Sequence, residues 1–226
     1  TIRLVSRTHT PLTEAFEALF VRFRLRAMVG LALMAAQAFF YNAIFFTYAF
    51  VVTTFYGVAA NDVGWYILPF AALGPVVLAP LFDTVGRRPM IAATYALSGI
   101  LLLAVGVGFE RGLLSATEQT LGWMLVFFVA SPAASAAYLT VSETFPIEIR
   151  ALTIAVFYAI GTALGGVAAP AIFGRLIESG SRESVFLGYA FAAVLMLAAA
   201  AVAALFAVPA ERRPLELVAR PLSAAE

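Results

Sequence analysis

Gln37, Tyr41, Asn42 and Tyr48 stand within one long apolar stretch, and Tyr138 and Thr140 stand within another. Amides and phenols donate and accept hydrogen bonds without carrying charge. Grouped together they suit a hydroxyl-rich or amphipathic neutral solute. On a helix turning about 100° per residue, Gln37, Tyr41 and Tyr48 fall within about 40° of one another, and Asn42 lies about 100° beyond Tyr41. The competing reading is glue between helices, where such side chains bond across a bundle for about 1 kcal/mol. Gln37, Asn42, Tyr41 and Tyr138 are the solute-binding candidates. Tyr138 qualifies because its ring can stack on a solute while its hydroxyl bonds it. Thr140, Tyr158 and Thr162 rank behind them.

A second constellation is charged. It comprises Asp83-Thr84-Val85-Gly86-Arg87-Arg88-Pro89 and, further on, Glu143-Thr144-Phe145-Pro146-Ile147-Glu148-Ile149-Arg150. A tight turn between two apolar stretches needs Gly86, which takes positive φ at no steric cost, and Pro89 suits the first turn of the next helix. Asp83, Arg87 and Arg88, with Glu143 and Arg150, can make charge-assisted hydrogen bonds. Such bonds would latch helix ends together in one state and release them in another. The alternative is that Arg87 and Arg88 only anchor the chain at a membrane surface.

Much chemistry is excluded. The chain has no Cys and one His, His9, so thiolate and multi-His metal sites are absent and no metal or cofactor is expected. No Asp, Glu or Lys lies near the middle of an apolar stretch. An enzyme working inside the membrane therefore has no charged dyad, and no carboxylate here could carry a proton.

The elements that position these residues follow from composition. Of 226 residues, 63% are hydrophobic and 12% charged, with a mean hydropathy of +0.97. Soluble domains carry about 25% charge, and a chain this short cannot hide so much apolar surface in one core. The chain is an integral membrane protein, not a nucleic-acid binder. Its continuously apolar windows are helical, because barrel strands would alternate with a period of two. Helices of about 20 residues cross the hydrocarbon. Six windows qualify, at about 27–56, 63–82, 89–109, 119–142, 151–174 and 184–210. The first is long enough to tilt or kink.

Residues 1–26 form an approach segment with a short amphipathic helix after Pro11, and residues 211–226 a polar, partly disordered tail. With six spans, Arg3, Arg7, Arg22, Arg24, Arg26, Arg87, Arg88, Arg150, Arg212, Arg213 and Arg220 share one side, against Arg111, Arg175 and Arg182. The richer side, with both termini, is expected to be cytoplasmic. Trp65 and Trp123 are expected as interfacial anchors. Gly161, Gly165, Gly166 and Gly174 would allow close helix packing, and Pro69, Pro75, Pro80 and Pro132 would bend their helices. The Lys-free, Ala- and Arg-rich composition points to a GC-rich bacterial genome.

The loop Asp83-x-x-Gly86-Arg87-Arg88 between the second and third spans resembles the conserved loop of the major facilitator superfamily. Glu143-x-Phe145-Pro146-x-x-x-Arg150-Ala151 resembles an element of its sugar-porter-like members. Gln37 followed by Asn42-Ala43-Ile44 is similar to their seventh span, and Val208-Pro209-Ala210-Glu211 to their exit motif. The resemblance implies an all-α fold of two inverted three-helix repeats, forming the C-terminal six-span half of a transporter in an inner membrane. It implies a missing N-terminal six-span half as partner, with the lipid bilayer around both. The implied activity is alternating-access transport of a small sugar-like solute, with protons a candidate coupling ion. The sequence departs from the pattern at Ala36, Phe40 and Tyr138, where sugar porters carry Gln, Gly and Trp. An organic-acid or aromatic-metabolite proton symporter, and a non-transporting sensor or assembly subunit, therefore stay open as alternatives.

Overall fold

The computed structural model describes residues 11–59, 67–208, 214 and 218–223, with the side chains of 67–71 left aside. Its elements are α1 (Leu12–Glu17), α2 (Arg24–Phe45), α3 (Tyr48–Tyr56), α4 (Ile67–Thr84), α5 (Arg87–Glu110), α6 (Ala116–Thr144), α7 (Arg150–Gly161), α8 (Ala168–Glu178) and α9 (Arg182–Phe206). Wide π turns fill Ala18–Arg22 and Thr162–Val167, and no strand occurs among the described residues. Five helices are long and apolar enough to cross a membrane: Arg24–Phe45, Arg87–Glu110, Ala116–Thr144, Arg150–Glu178 and Arg182–Phe206. The second expected span corresponds to α4, whose first described residue is Ile67. The start of that window, Trp65 and the exit motif from Pro209 to Arg213 lie outside the described residues.

Side-chain bonds between helix ends show that neighbours run antiparallel. Arg88 at the start of α5 bonds Ala204 near the end of α9, while Arg182 at the start of α9 bonds Phe109 near the end of α5. Arg26 at the start of α2 likewise reaches Thr144 at the end of α6. A fully buried aromatic layer that includes Tyr95, Trp123, Phe127, Phe157, Phe173 and Tyr189 fills the bundle, while Leu97, Ile100, Leu121, Leu187, Phe191 and Leu205 face outward. In water such an outer surface would aggregate; against lipid tails it is at rest.

Local expectations are sharpened or corrected at three places. The first window, long enough to kink, breaks at Phe46–Thr47 between α2 and α3. The Thr47 hydroxyl turns back onto the carbonyl of Ala43, competing with the backbone ladder at that point. Trp123 is no interfacial anchor: it is fully buried, edge-on to Tyr48 at 5.3 Å and to Tyr189 at 6.3 Å. The described part of the tail is packed down, with Val218 and Ala219 buried. At the other end α1 and its π turn bury Ala15, Ala18 and Leu19 and leave Leu12, Phe16, Phe20 and Val21 exposed.

The glycines of the fifth span divide into two kinds. A Cβ at Gly165 would stand 2.3 Å from the backbone of Ala38 and Phe39, and one at Gly161 would stand 3.1 Å from the Met34 carbonyl oxygen. Here the span packs backbone to backbone on α2. A Cβ at Gly166 would meet only its own helix at Thr162, and one at Gly174 would meet nothing within 4 Å. Gly165→Ala should therefore lower the melting temperature of the purified protein, because overpacking costs about 1–3 kcal/mol. Gly174→Ala should leave it unchanged or raise it slightly. Equal melting temperatures for both variants would contradict this packing.

Candidate functional site

The end of α2 and the break that follows it form one wall of a cavity of about 450 Å³. Met34, Gln37, Ala38, Tyr41, Asn42 and Phe46 line that wall; Tyr138 of α6, Tyr158 and Gly161 of α7, and Thr162 and Gly166 of the π turn complete it. Both irregular stretches, the break and the π turn, thus border the same space. Wide turns of this kind recur at functional sites. Within a bilayer, irregular backbone is tolerated where it is covered by protein or lines a cavity.

Hydrogen bonds orient the polar wall. The Tyr41 hydroxyl donates to Ser131 Oγ at 2.7 Å, and Ser131 donates in turn to the Phe127 carbonyl at 2.8 Å. The Tyr41 ring meets Phe127 edge-on at 5.0 Å. Asn42 Nδ2 donates to the Ala38 carbonyl at 2.6 Å, which fixes the amide and leaves its oxygen as an acceptor. Gln37 and Tyr138 border the same cavity, and the Tyr138 and Tyr158 rings lie 6.3 Å apart at 43°. Phe46 and Tyr158 are exposed, so the cavity is open on their side. Among the described residues its lining contains no Asp, Glu, Lys or Arg. Such a surface can hydrogen-bond a neutral solute and stack on its apolar face.

All four solute-binding candidates, Gln37, Tyr41, Asn42 and Tyr138, meet at this cavity, as do Tyr158 and Thr162. Tyr48 does not; its hydroxyl lies 3.3 Å from Thr120 Oγ1 of α6. The break at Phe46–Thr47 resets the helical phase, so the shared face extrapolated from Gln37 ends before Tyr48. Thr140 bonds back to the Ala136 carbonyl and borders a separate small void beside Arg26. Met34 and Phe46 were missed because apolar residues in an apolar helix carry no signal of which ones face a solute.

The charged cluster sits at the end of the bundle. Gly86 takes φ 111° and caps α5, so the turn does need a residue without a side chain. Arg87 reaches Asp83 at 4.0 Å and forms an ion pair with Glu143, which ties α4, α5 and α6 together. Next to it a cavity of about 150 Å³ opens between α4 and α6, bordered by Pro75, Asp83, Arg87, Pro132 and Ser135. Arg88 lies elsewhere: its guanidinium donates to the carbonyls of Ala204 and Leu205 at the end of α9. Arg150 donates to the Phe145 carbonyl at 3.3 Å, and among the described residues it forms no ion pair with Glu143. Arg26, which carried no motif, donates to the Thr144 carbonyl at 2.6 Å, one residue from Glu143.

Glu148 holds the tail. The Ser223 hydroxyl and amide donate to its Oε1 at 2.6 and 2.9 Å. Burial pushes this carboxyl up, but the bonds from Ser223 and nearby amides outweigh burial and hold it below the ordinary carboxylate range. A depressed folded-state value stabilises the docked tail above the unfolded value, and that stabilisation is lost as pH falls through the folded value. Proteolysis near Ser223 should thus be slow at neutral pH and accelerate only as pH falls below the ordinary carboxylate range. In Glu148→Gln the cleavage should already be fast at neutral pH, and a wild-type rate for that variant would remove Glu148 as the anchor.

Comparison with known proteins agrees with the geometry. The family described as "Sugar (and other) transporter" matches residues 6–221, nearly the whole chain. Curated proteins provide no match. A match over nearly the whole of an apolar helical chain shows the family: the chain belongs to the sugar (and other) transporter family, a sugar-porter-like branch of the major facilitator superfamily.

Proposed function

We propose that the protein moves a small, neutral, hydroxylated solute across the inner membrane of a bacterial cell by alternating access. The observation that carries this reading is the cavity lining, which offers phenols, amides and a threonine and no charged side chain. A carboxylate-bearing solute would need a compensating cation on the site, because an unpaired charge in a dry cavity is strongly disfavoured. The lining therefore favours a sugar-like solute over an organic acid. The open side of the cavity, at Phe46 and Tyr158, is where a second six-span bundle would close it. Protons are a candidate coupling ion, and the acid that carries them would have to belong to that second bundle. The Arg-rich end of the bundle, which holds the ion-pair cluster, is read as cytoplasmic.

In this reading Asp83, Arg87 and Glu143 form the cytoplasmic latch of the outward-facing state. Two closures must alternate, so an ion pair made in one state and broken in the other sets their balance. A sensor or assembly subunit would not need such a latch, which favours transport over that alternative.

Two sets of variants test the proposal in vesicles supplied with labelled hexoses, polyols and aromatic acids. Gln37→Ala and Asn42→Ala should each raise KM about 10-fold, the loss of one or two neutral hydrogen bonds. Tyr138→Phe should do less, because it keeps the ring. Unchanged kinetics in the two alanine variants would place the solute elsewhere. Asp83→Asn and Arg87→Ala should leave the protein inserted and folded yet cut transport about 10-fold or more. Normal uptake by both would remove the latch.

A further inference from the structure

The outer half of the first span, α3, is a nine-residue lever (Tyr48–Tyr56) set off from α2 by the break that borders the cavity. Two tyrosine bonds tie it to α6, Tyr48 to Thr120 and Tyr56 to Gln119, both long at 3.3 Å. Its shortest polar link to the rest of the bundle, among the described residues, comes from Arg182 at the start of α9. One guanidinium nitrogen donates to the Phe55 carbonyl at 2.9 Å, and the other donates to the Phe109 carbonyl at 2.9 Å. The same guanidinium stands 4.8 Å from the ring centroids of Tyr56 and Phe109 and 5.5 Å from that of Phe55.

One of those two carbonyls belongs to a fixed partner. At their other ends α5 and α9 are joined by Arg88, which bonds Ala204 and Leu205. The pair is therefore clamped at both ends, and α3 is the third member, held to it through one arm of the fork. Phe55 precedes the end of α3, where Gly57 turns the chain away in a left-handed conformation. If α3 swings, its carbonyl at this surface can be taken over by water, whereas Phe109 is fully buried and keeps its bond. The asymmetry makes the Phe55 arm the one that can open.

We propose that Arg182 is a positioning residue for transport: with the Asp83–Arg87–Glu143 pairs made in the same structure, it holds the outward-facing state occluded by catching the end of α3 against the α5–α9 pair, and so sets how often the cavity opens on the face opposite the Asp83 loop. The proposal rests on the alternating-access reading and adds to it a residue that touches no solute and belongs to no family motif in the sequence. Because the guanidinium bonds two carbonyls and three rings at once, lysine cannot replace it; a single ammonium lacks the planar fork.

The test follows access to the cavity without needing the solute. This chain has no Cys, so Phe46→Cys, exposed at the cavity edge, gives it a single reporter thiol, with any Cys of the second bundle replaced by Ser in the full protein. A membrane-impermeant maleimide is applied to either face of oriented vesicles, and the ratio of the two labelling rates is read alongside the melting temperature. Arg182→Ala should shift the ratio toward the Arg182 face about 10-fold, the loss of one charge-assisted bond. Arg182→Lys should shift it less and serves if the alanine variant fails to fold. Asp83→Asn should shift the ratio the opposite way. A lowered melting temperature with an unchanged ratio in the Arg182 variants, while Asp83→Asn still responds, overturns the catch and leaves Arg182 a structural cap. If neither site moves the ratio, the alternating-access reading falls with it.

Discussion

The structure depends on how the ends of its apolar helices are satisfied. A helix leaves its last four carbonyls without partners and gathers negative partial charge there. In this protein arginines from neighbouring helices supply the missing donors. Arg26 serves α6, Arg88 serves α9, and Arg182 serves α3 and α5 together. Each of these arginines begins its own helix, where a cation is unfavourable against the local dipole. Antiparallel packing removes the conflict, because each of these three helix starts lies beside a neighbour's end. The absence of Lys is consistent with this use. A guanidinium is always charged and bridges two acceptors in a plane, which a flexible ammonium does less well.

Confining charge to the ends determines what the middle can do. A charged side chain at the bilayer centre is costly, so the cavity is built from uncharged hydrogen-bonding groups on an aromatic wall. Those groups are themselves fixed by local bonds, Tyr41 to Ser131 and Asn42 to Ala38. The cavity borders two stretches that depart from regular helix, at Phe46–Thr47 and at Thr162–Val167. The same π turn brings Gly165 against Ala38 with no room for a Cβ. The cavity is thus flanked by one tight, static contact and one break.

How much of this was legible in the residues depended on range. The spans follow from composition and length, and the positive φ at Gly86 follows from its place between two apolar runs. Gln37, Tyr41, Asn42 and Tyr138 could be grouped because three lie on adjacent turns of one helix and the family pattern added the fourth. Tyr48 was misplaced because periodicity assumes an unbroken helix, and the bond from Thr47 to Ala43 has no sequence signature. Trp123 was misplaced for another reason: a Trp near the end of an apolar window looks the same whether it faces lipid or a neighbour. The arginine caps were invisible because they join residues up to 127 positions apart.

The start of α5 places an ion-pair contact and a backbone contact on a single turn. Arg87 and Arg88 are consecutive, so on a helix they point about 100° apart. Arg87 looks toward α4 and α6, where it meets Asp83 and Glu143. Arg88 looks toward α9, where it meets backbone carbonyls. An ion pair between side chains is exchanged for water at modest loss only where its partners reach the surface; Asp83 is mostly exposed, whereas Arg87 and Glu143 are largely covered, so of the two pairs the Asp83 one opens more easily. A bond to the end carbonyls of a helix has a different consequence, since releasing it returns those groups to an unsatisfied state unless water takes them over. The first arrangement suits a latch and the second a permanent joint. Two adjacent arginines in one loop therefore divide the labour, and the division is imposed by helical geometry acting on the chemistry of what each one meets.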